Sequence, residues 1–380
     1  MLSGATPSHR VVVLRGANLN PWELRSWQRL PDRFDVVFPV IAGNRFELAL
    51  GGLEQVPVRA LSDFMPPGGL RDLAGRAPMN RYLRIDKQLA GATVVHAAEL
   101  HPWFTAQAAR LKPRLGYKLV VTVWETIPFA DAYRNVLTRS HRKLVIERTD
   151  LFMAATERAR DALLLEGAPA EKITVSPPGI DLDRFGTAAA SSPARDEILS
   201  PGRLVWEKGH QDVLRAVAAL REGLAGQRLE PRVLIVGSGG EERRLKAYAR
   251  DLRIADAVEF RRHVPYDEMP AVYARASCMV LASLAVRGWE EQFGMVLAEG
   301  MAAGLPLLAS SSGAIPEVAG DSATYFSPGD WVGLARALAA GPLAGAPGAR
   351  VEHPAERVER YSTAAAAARL ASAYDRVLSP

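Results

Sequence analysis

Cysteine is nearly absent from this 380-residue chain, which contains a single one, Cys278, in the apolar run "ASCMVLAS". One thiol excludes a disulfide within the chain and fits a reducing, cytosolic setting. Hydrophobic runs long enough for a transmembrane helix are also missing. The short apolar run after His9 and Arg10 favours a first strand over a signal peptide. We therefore expect a cytoplasmic globular protein with a buried Cys278.

Acidic residues are slightly outnumbered, which leaves a net charge of +5. An Arg-rich, solvated surface is the favoured interpretation, and anionic partners such as nucleotides, nucleic acid or a membrane surface are its alternative. A nucleic-acid binder should show clustered Lys and Arg with interleaved aromatics, and no such segment is present, so no nucleic-acid partner is expected. One basic run lies on a predicted helix, and we expect it to form a face that is exposed to solvent. A peripheral contact with the inner face of a membrane is its alternative interpretation. The run comprises Arg134, Arg139, Arg142, Lys143 and Arg148.

Short β-branched runs alternate with helical stretches along the whole chain, a pattern that predicts βαβ units, parallel sheets and an α/β fold class. Seven runs lie in the first half, from "VVVLRG" to "KITVSPPG", and five in the second, from "EILSPGRL" to "LPLLASS". That is too many strands for one ordinary domain. We expect doubly wound domains over 1–188 and 197–360, joined by a linker at 186–196. Residues 361–380 form a helix with Ser362 as N-cap, which we expect to pack back toward the first domain.

Two glutamates stand eight residues apart in the apolar stretch "EQFGMVLAEGMAAGLPLLAS". The pattern predicts a core helix over 293–303, ended by Gly304, and then a strand over 305–309. Glu299 lies near the middle of that helix, whereas Glu291 precedes it. A buried carboxylate needs partners. A structural Arg or a backbone donor would serve, and so would the paired hydroxyls of a ribose; both interpretations stay open.

Glycine-rich turns follow two predicted strands of the second half. "SPGRLVWEKGH" carries Gly202, Arg203 and Lys208, and "VGSGGEE" begins at Gly237. Ligands of open α/β sheets bind beyond the carboxyl ends of strands, where glycines allow close backbone approach and helix N-termini attract anions. Arg203 and Lys208 are the pair that we predict for a diphosphate.

Taken in order, "GRLVWEKG", "VGSGG", "EQFGMVLAEGMAAGLPLLAS" and "GAIPEVAGDSATYFSPGD" resemble the retaining glycosyltransferases of family 4. The segment "TDLFMAATERARDALLLEGAPAEKITVSPPGIDLDRF" extends the resemblance into the first half. The family has the GT-B fold, in which two Rossmann-like domains face a cleft. The resemblance implies transfer of a hexose-type sugar from a UDP- or GDP-sugar to an unknown hydroxyl acceptor.

Roles in donor binding follow from the same resemblance. Glu299 would bind the ribose hydroxyls, Glu291 would reach the donor sugar, and Arg203 with Lys208 would hold the diphosphate leaving group. The remaining donor-side candidates are glycines of the strand-end turns, the backbone at the start of the core helix and a residue near the base: Gly202, Gly237, Phe293, Gly294 and His263. The loop "SLAVRGWEEQFG" departs from the family pattern and adds Arg287 and Trp289 beside the donor.

A metal site is not expected, since no Asp-x-Asp motif stands in a suitable loop and "DLD" at 181–183 belongs to a structural turn. The resemblance implies catalysis without a metal or another cofactor. Two alternatives stay open: another GT-B enzyme of sugar nucleotides, such as an epimerase, and a non-catalytic sugar-nucleotide binder. Retention of Arg203, Lys208, Glu291 and Glu299 together favours catalysis.

The acceptor side is expected in the first domain, where polar residues follow predicted strands. Its candidates are Gly16, His96, Glu99, His101 and Glu125. For His96 and His101 an ordinary structural role is favoured over an acceptor base. For Glu125 the two readings stand even, because "WET" ends a strand. Many relatives carry a histidine where this chain has "VTVWETIPF", so the acceptor-side chemistry stays open.

Overall fold

The computed structural model describes residues 9–44, 46, 48, 52–65, 81–130, 136–186, 196–224, 226–262 and 264–379, with 136–138 as backbone alone. It divides the chain into two compact units. One comprises 1–180 with 362–380, and the other comprises 181–361. The interior of the predicted linker, 187–195, lies outside the described residues.

The first unit is built on a parallel sheet whose seven strands, within the described residues, have the order β3-β2-β1-β4-β5-β6-β7. The strands are β1 His9–Val13, β2 Phe34–Ile41, β3 Glu54–Val58, β4 Val94–Ala98, β5 Lys118–Val123, β6 Leu151–Ala154 and β7 Ile173–Val175. The helices between them are α1 Pro21–Gln28, α2 Asp86–Leu89, α3 Trp103–Leu115, α4 Val136–Arg148 and α5 Glu157–Leu165, with 3-10 turns at Gly16–Asn18, Leu61–Phe64 and Ala170–Lys172. All seven predicted runs of the first half are confirmed as strands.

The second unit has a parallel sheet of six described strands in the order β10-β9-β8-β11-β12-β13. They are β8 Glu197–Pro201, β9 Arg232–Val236, β10 Val258–Arg261, β11 Cys278–Leu281, β12 Leu307–Ser310 and β13 Ala323–Phe326. The helices are α6 Asp183–Gly186, α7 His210–Arg221, α8 Glu242–Asp251, α9 Met269–Arg275, α10 Met295–Ala302, α11 Ile315–Ala319, α12 Trp331–Ala340 and α13 Ala355–Glu359. Short 3-10 turns lie at Trp206–Lys208, Ala255–Ala257, Tyr266–Glu268 and Gly320–Ser322. The expectation of two Rossmann-like α/β domains is confirmed.

In both sheets the strand order reverses beside the first strand of the unit, between β1 and β4 and between β8 and β11. Such a reversal opens a crevice at the carboxyl ends of the strands, where helices on opposite faces diverge. Burial explains the sequence of these central strands: β11 is buried throughout, and so is its Cys278, as predicted. The functional candidates of the second half follow β8, β9 and β11 at this edge.

A long C-terminal helix, α14 Thr363–Leu378, belongs to the first unit. It begins as predicted: the Ser362 side chain accepts a hydrogen bond from the amide of Ala365. Alternate residues of a strand point to opposite faces, so Val11 and Val13 of β1 pack on one side. Leu370, Tyr374 and Val377 of α14 belong to that same core cluster. The helix therefore covers one face of the first sheet.

A buried chain of hydrogen bonds ties α14 to the sheet. Trp27 Nε1 donates to the Tyr374 hydroxyl oxygen at 2.9 Å, and that hydroxyl lies 2.7 Å from His96 Nδ1. His96 Nε2 lies 2.6 Å from Thr122 Oγ1. An indole N–H can donate but cannot accept, so the Tyr374 proton is left for Nδ1. His96 is consequently the neutral Nε2–H form, and burial holds its pKa well below 6.5.

The residues of the basic run on α4 differ in burial. The prediction that all five lie on a solvent-exposed face is wrong for Arg142, which is buried. Its guanidinium lies 2.6 Å from Glu166 Oε1, and both side chains are almost completely buried. Arg139, Lys143 and Arg148 are exposed, whereas Arg134 lies outside the described residues. Across the described part of the chain, no helix combines the length and the apolar character needed to cross a membrane.

Replacing Tyr374 by Phe tests the hydrogen-bond chain. The variant leaves Trp27 Nε1 and His96 Nδ1 buried without their shared partner, which should lower the free energy of unfolding by about 1–3 kcal/mol. Urea denaturation of the two proteins measures the difference. Tyr325→Phe is the control, since its hydroxyl donates to the Gly320 carbonyl at an exposed position of the second unit. Equal loss in both variants would contradict a special role for Tyr374.

Candidate functional site

Backbone packs directly against backbone where the turns after β8, β9 and β11 meet. Gly202 donates its amide proton to the Val236 carbonyl at 2.9 Å. A Cβ atom at Gly237 would lie 1.9 Å from the Gly202 carbonyl oxygen, and one at Gly209 would lie 1.8 Å from that of Ala282. Both positions also have positive φ. Only glycine fits such contacts, so these residues hold the turns that carry Arg203 and Lys208 close together.

His210 holds the turn after β8 through two contacts of its ring nitrogens. Its Nδ1 lies 2.8 Å from Ser200 Oγ, and its Nε2 lies 3.1 Å from the Arg203 carbonyl oxygen. Burial lowers its pKa to about 4, so the ring is neutral near pH 7 and its Nε2–H donates to that carbonyl. The sequence analysis did not select His210. Its position directly after the basic "EKG" turn, at the start of α7, was the available signal.

The two cations of the turn stand in different surroundings. The Arg203 side chain is 64% exposed and lies 4.0 Å from Glu207 Oε1, a weak solvent-screened pair. Lys208 is mostly buried, with Nζ 2.6 Å from Glu291 Oε2. Its ammonium also lies 5.2 Å from the centre of the Trp289 ring, within range of a cation–π contact. Trp289 of the lengthened loop is thus beside Lys208.

Glu291 is buried and held by several groups at once. Ser283 Oγ donates to Glu291 Oε2 at 2.6 Å, the same oxygen that Lys208 contacts. The Ala314 amide donates to the Glu291 carbonyl at 2.9 Å. Ser283, which the sequence analysis did not select, directly follows the strand end of β11. The first glutamate of the pair is therefore fixed at the carboxyl edge of the second sheet, against Lys208.

The core helix is shorter than predicted at its N-terminus, because α10 begins at Met295 rather than at residue 293. Gly294 has a φ of 79° in the left-handed region, a conformation that ends helical geometry there. Phe293 turns inward and packs edge-to-face on Tyr361, with ring centres 5.4 Å apart. A ligand at this turn would therefore meet the backbone of 293 and 294 and not the Phe293 ring.

Glu299 is buried within α10, and its carboxylate has two hydroxyl partners. Tyr266 donates to Oε1 at 2.9 Å, and Tyr273 donates to Oε2 at 2.6 Å. Burial raises the pKa of Glu299, while the two hydroxyls and the charge of Arg184 act in the opposite direction. Burial and the adjacent carboxylate raise the pKa of Tyr273 far above 10, so it stays a donor. The two tyrosines, which the sequence analysis missed, stand in the place of the predicted Arg or backbone donors.

Among the acceptor-side candidates, His96 lies in the core with both ring nitrogens hydrogen-bonded, so its ring is not available to an acceptor. Gly16 has a φ of 60°, and its amide donates to the Tyr82 hydroxyl at 2.9 Å. Glu99 Oε1 accepts from the Trp124 amide, and Glu125 Oε1 accepts from the Ile127 amide, both at 2.9 Å. His101 is partly buried in the turn before α3.

His263, the candidate near the base, lies outside the described residues. Nor do the described residues contain a group of three or more His, Cys, Asp or Glu side chains that could hold a metal ion. The candidate site of the second unit thus consists of Arg203, Lys208, Glu291, the backbone at Gly294, and Glu299 with its tyrosines.

Two family models match the chain, one after the other. Glycosyltransferase Family 4 matches residues 9–184, and Glycosyl transferases group 1 matches residues 188–340. A GDP-mannose-dependent alpha-(1-6)-phosphatidylinositol monomannoside mannosyltransferase of Mycobacterium tuberculosis is 30% identical over 209 residues, 51% of this chain and 50% of the relative. A glycogen synthase of the same organism is 32% identical over 260 residues, 64% of this chain and 59% of the relative. The chain spans about half the length of the curated relatives that it matches.

Solved structures with the same fold align along nearly the whole chain. HepE of Anabaena in complex with UDP-glucose gives a TM-score of 0.72 at 16% identity, covering 97% of this chain and 99% of that one. Sucrose-phosphate synthase of Thermosynechococcus elongatus gives a TM-score of 0.70 at 16% identity, with the same coverage. At this identity the likeness establishes the fold. The two family models, which match residues 9–184 and 188–340, show that the chain belongs to the group 1 glycosyltransferases, and the solved structures show the GT-B fold.

Proposed function

We propose that the chain is a retaining glycosyltransferase that moves a hexose-type sugar from a UDP- or GDP-sugar to an acceptor hydroxyl without a metal ion. The observation that carries the proposal is the grouping at one sheet edge of Arg203, Lys208 and Glu291, with Glu299 in the adjoining helix. The named relatives and structural neighbours differ in donor, since one uses GDP-mannose and another binds UDP-glucose. Both donors share a ribose and a diphosphate, which this grouping suits.

Cleavage of the donor breaks the bond between the sugar C1 and the phosphate oxygen, which leaves negative charge on the nucleoside diphosphate. Arg203 and Lys208 would stabilise that charge as it develops, together with the backbone amides at the start of α10. Lys208 contacts Glu291 at 2.6 Å in this structure, so the diphosphate has to share or replace that partner. The exchange would free Glu291 to accept hydrogen bonds from the donor sugar.

Formation of the product joins the acceptor oxygen to C1, and the acceptor's proton has to leave. His96 is committed to the core, which favours transfer of that proton to the departing phosphate oxygen. Glu99, His101 and Glu125 of the first unit remain candidates for contacts with the acceptor. A cytoplasmic location is proposed because the single cysteine, Cys278, is a free thiol. A membrane contact is proposed because Arg139, Lys143 and Arg148 are exposed on α4.

A donor panel tests the proposal directly. UDP- and GDP-linked hexoses are incubated with the purified protein, alone and with hydroxyl acceptors, and the release of UDP or GDP is measured. We expect release from at least one donor, and NMR coupling constants of the transferred sugar should show the anomeric configuration of the donor. An inverted product would overturn the retaining mechanism, and conversion of the donor sugar without release of nucleotide would favour an epimerase.

The Arg203→Ala variant tests the role of the exposed cation. Loss of one charge-assisted hydrogen bond to the diphosphate, worth about 1.5–3 kcal/mol, should lower kcat/KM for donor cleavage by roughly 10- to 150-fold. The melting temperature should not change, because the side chain is largely in solvent. Arg228→Ala is the matched control: that side chain is 73% exposed and lies 3.4 Å from Glu230. Wild-type turnover in Arg203→Ala would contradict the assignment.

Chelation tests the metal-free mechanism. If the two cations and the helix start supply the positive charge at the diphosphate, turnover should persist after dialysis against EDTA. A metal-dependent enzyme would lose turnover and regain it with magnesium or manganese, which is the outcome that contradicts the proposal.

A further inference from the structure

The two tyrosines that hold Glu299 differ in their freedom to move. Tyr273 lies on α9, is completely buried, and packs edge-to-face on Phe185 with ring centres 5.1 Å apart. Tyr266 is only partly buried and lies in the 3-10 turn before α9. Its ring centre is 5.9 Å from that of Phe185. Movement of the Tyr273 side chain away from Glu299 would leave a cavity in the core. Tyr266 is partly exposed, so movement of its side chain would leave a smaller one.

The Arg184 guanidinium holds the 3-10 turn that carries Tyr266. Its Nη2 donates to the Tyr266 carbonyl at 3.1 Å and forms an ion pair with Asp267 Oδ1 at 2.7 Å. The guanidinium also lies 5.0 Å from the centre of the Tyr266 ring. Arg184 contacts the Tyr266 carbonyl and the Asp267 carboxylate, so both contacts can persist if the Tyr266 side chain rotates, whereas the ring contacts with Arg184 and Phe185 would be lost. Arg184 would then keep a positive charge near Glu299 in either position.

A carboxylate takes a pair of hydroxyl donors side by side, and a ribose offers such a pair. In this structure one donor on each oxygen of Glu299 comes from the protein. We propose that Tyr266 is a displaceable cap on Glu299, whose hydroxyl occupies the position that a ribose hydroxyl takes when the nucleotide binds. Tyr273 stays as the fixed donor on the other oxygen. This inference rests on the proposed function, in which Glu299 binds the ribose.

The cap makes physical sense for a buried carboxylate. If neither Tyr266 nor a nucleotide donated to it, Glu299 Oε1 would lack this hydrogen bond. Burial already disfavours the charge of this carboxylate, so the loss would be costly. Exchange of one hydroxyl for another keeps the oxygen satisfied throughout binding. The cost is that each nucleotide has to break the bond from Tyr266 before it forms its own. Tyr266 would thus lower nucleotide affinity, whereas Tyr273 would raise it.

The opposite signs of these two effects give the test. Dissociation constants for UDP, GDP and ADP are measured by calorimetry on the wild type, Tyr266→Phe and Tyr273→Phe. Removal of the competing hydroxyl in Tyr266→Phe should tighten binding by roughly 10- to 150-fold, the range for one hydrogen bond to a charged group. Tyr273→Phe should weaken binding. Tyr325→Phe, which loses an exposed hydroxyl elsewhere in the unit, should leave the dissociation constants unchanged.

Deoxynucleotides identify the hydroxyl that displaces the cap. The gain in Tyr266→Phe should disappear for whichever of the 2′-deoxy and 3′-deoxy analogues lacks that hydroxyl, because such a nucleotide leaves Tyr266 in place in the wild type. A gain of equal size for both analogues and for the ribonucleotide would overturn the cap. Tyr266→Phe keeps the ring contacts with Phe185 and Arg184, and its melting temperature shows whether the variant is folded as the wild type is.

Failure of the cap and failure of the proposed function give different results. A wild type that binds the nucleotide, with a Tyr266→Phe variant that binds it equally or more weakly, overturns the cap alone. A Glu299→Gln variant that binds as tightly as the wild type overturns the ribose contact on which the cap depends. A wild type that binds none of the three nucleoside diphosphates overturns the proposed function.

Discussion

A carboxylate removed from water needs hydrogen-bond donors to replace the water, and this requirement organises the second unit. Glu299 and Glu291 are both buried, and each has a partner from a distant part of the chain. Glu299 takes hydroxyls from Tyr266 and Tyr273, while Glu291 takes Ser283 and Lys208. Three of these four donors are hydroxyls, the kind of donor that the ribose and the hexose of a sugar nucleotide also carry.

This constraint connects the folding of the unit to its chemistry. The glycines at 209 and 237 let the turns after β8, β9 and β11 pack backbone against backbone, which brings Lys208 within reach of Glu291. His210, neutral because it is buried, holds the carbonyl of Arg203 and leaves the guanidinium toward solvent. One cation is thus neutralised inside the site and the other is exposed at its rim. An arriving diphosphate would meet Arg203 first and Lys208 after an exchange of partners.

The two parallel sheets could be predicted from the sequence, because buried parallel strands are apolar along their whole length. The strand β13 was missed, since Ala323 to Tyr325 are partly or fully exposed and form no β-branched run. The need of Glu299 for partners was predicted, but Tyr266 and Tyr273, 33 and 26 residues away, were not. The structural role that was favoured for His96 is confirmed, but its partner Tyr374, 278 residues distant, was not predicted. Pairings of this kind depend on how elements pack, which no local pattern records.

The two buried glutamates differ in what a ligand has to displace, and this difference has a kinetic consequence. Lys208 and Glu291 form an ion pair, so a diphosphate that attracts Lys208 trades one charged contact for another. Tyr266 and Glu299 form a contact between a neutral donor and a carboxylate, which a ribose hydroxyl would replace with a bond of the same type if the proposed cap is displaced. Under the proposed function, the same side chains would return to the glutamates when the nucleoside diphosphate leaves, so the contacts that binding had broken would assist its release.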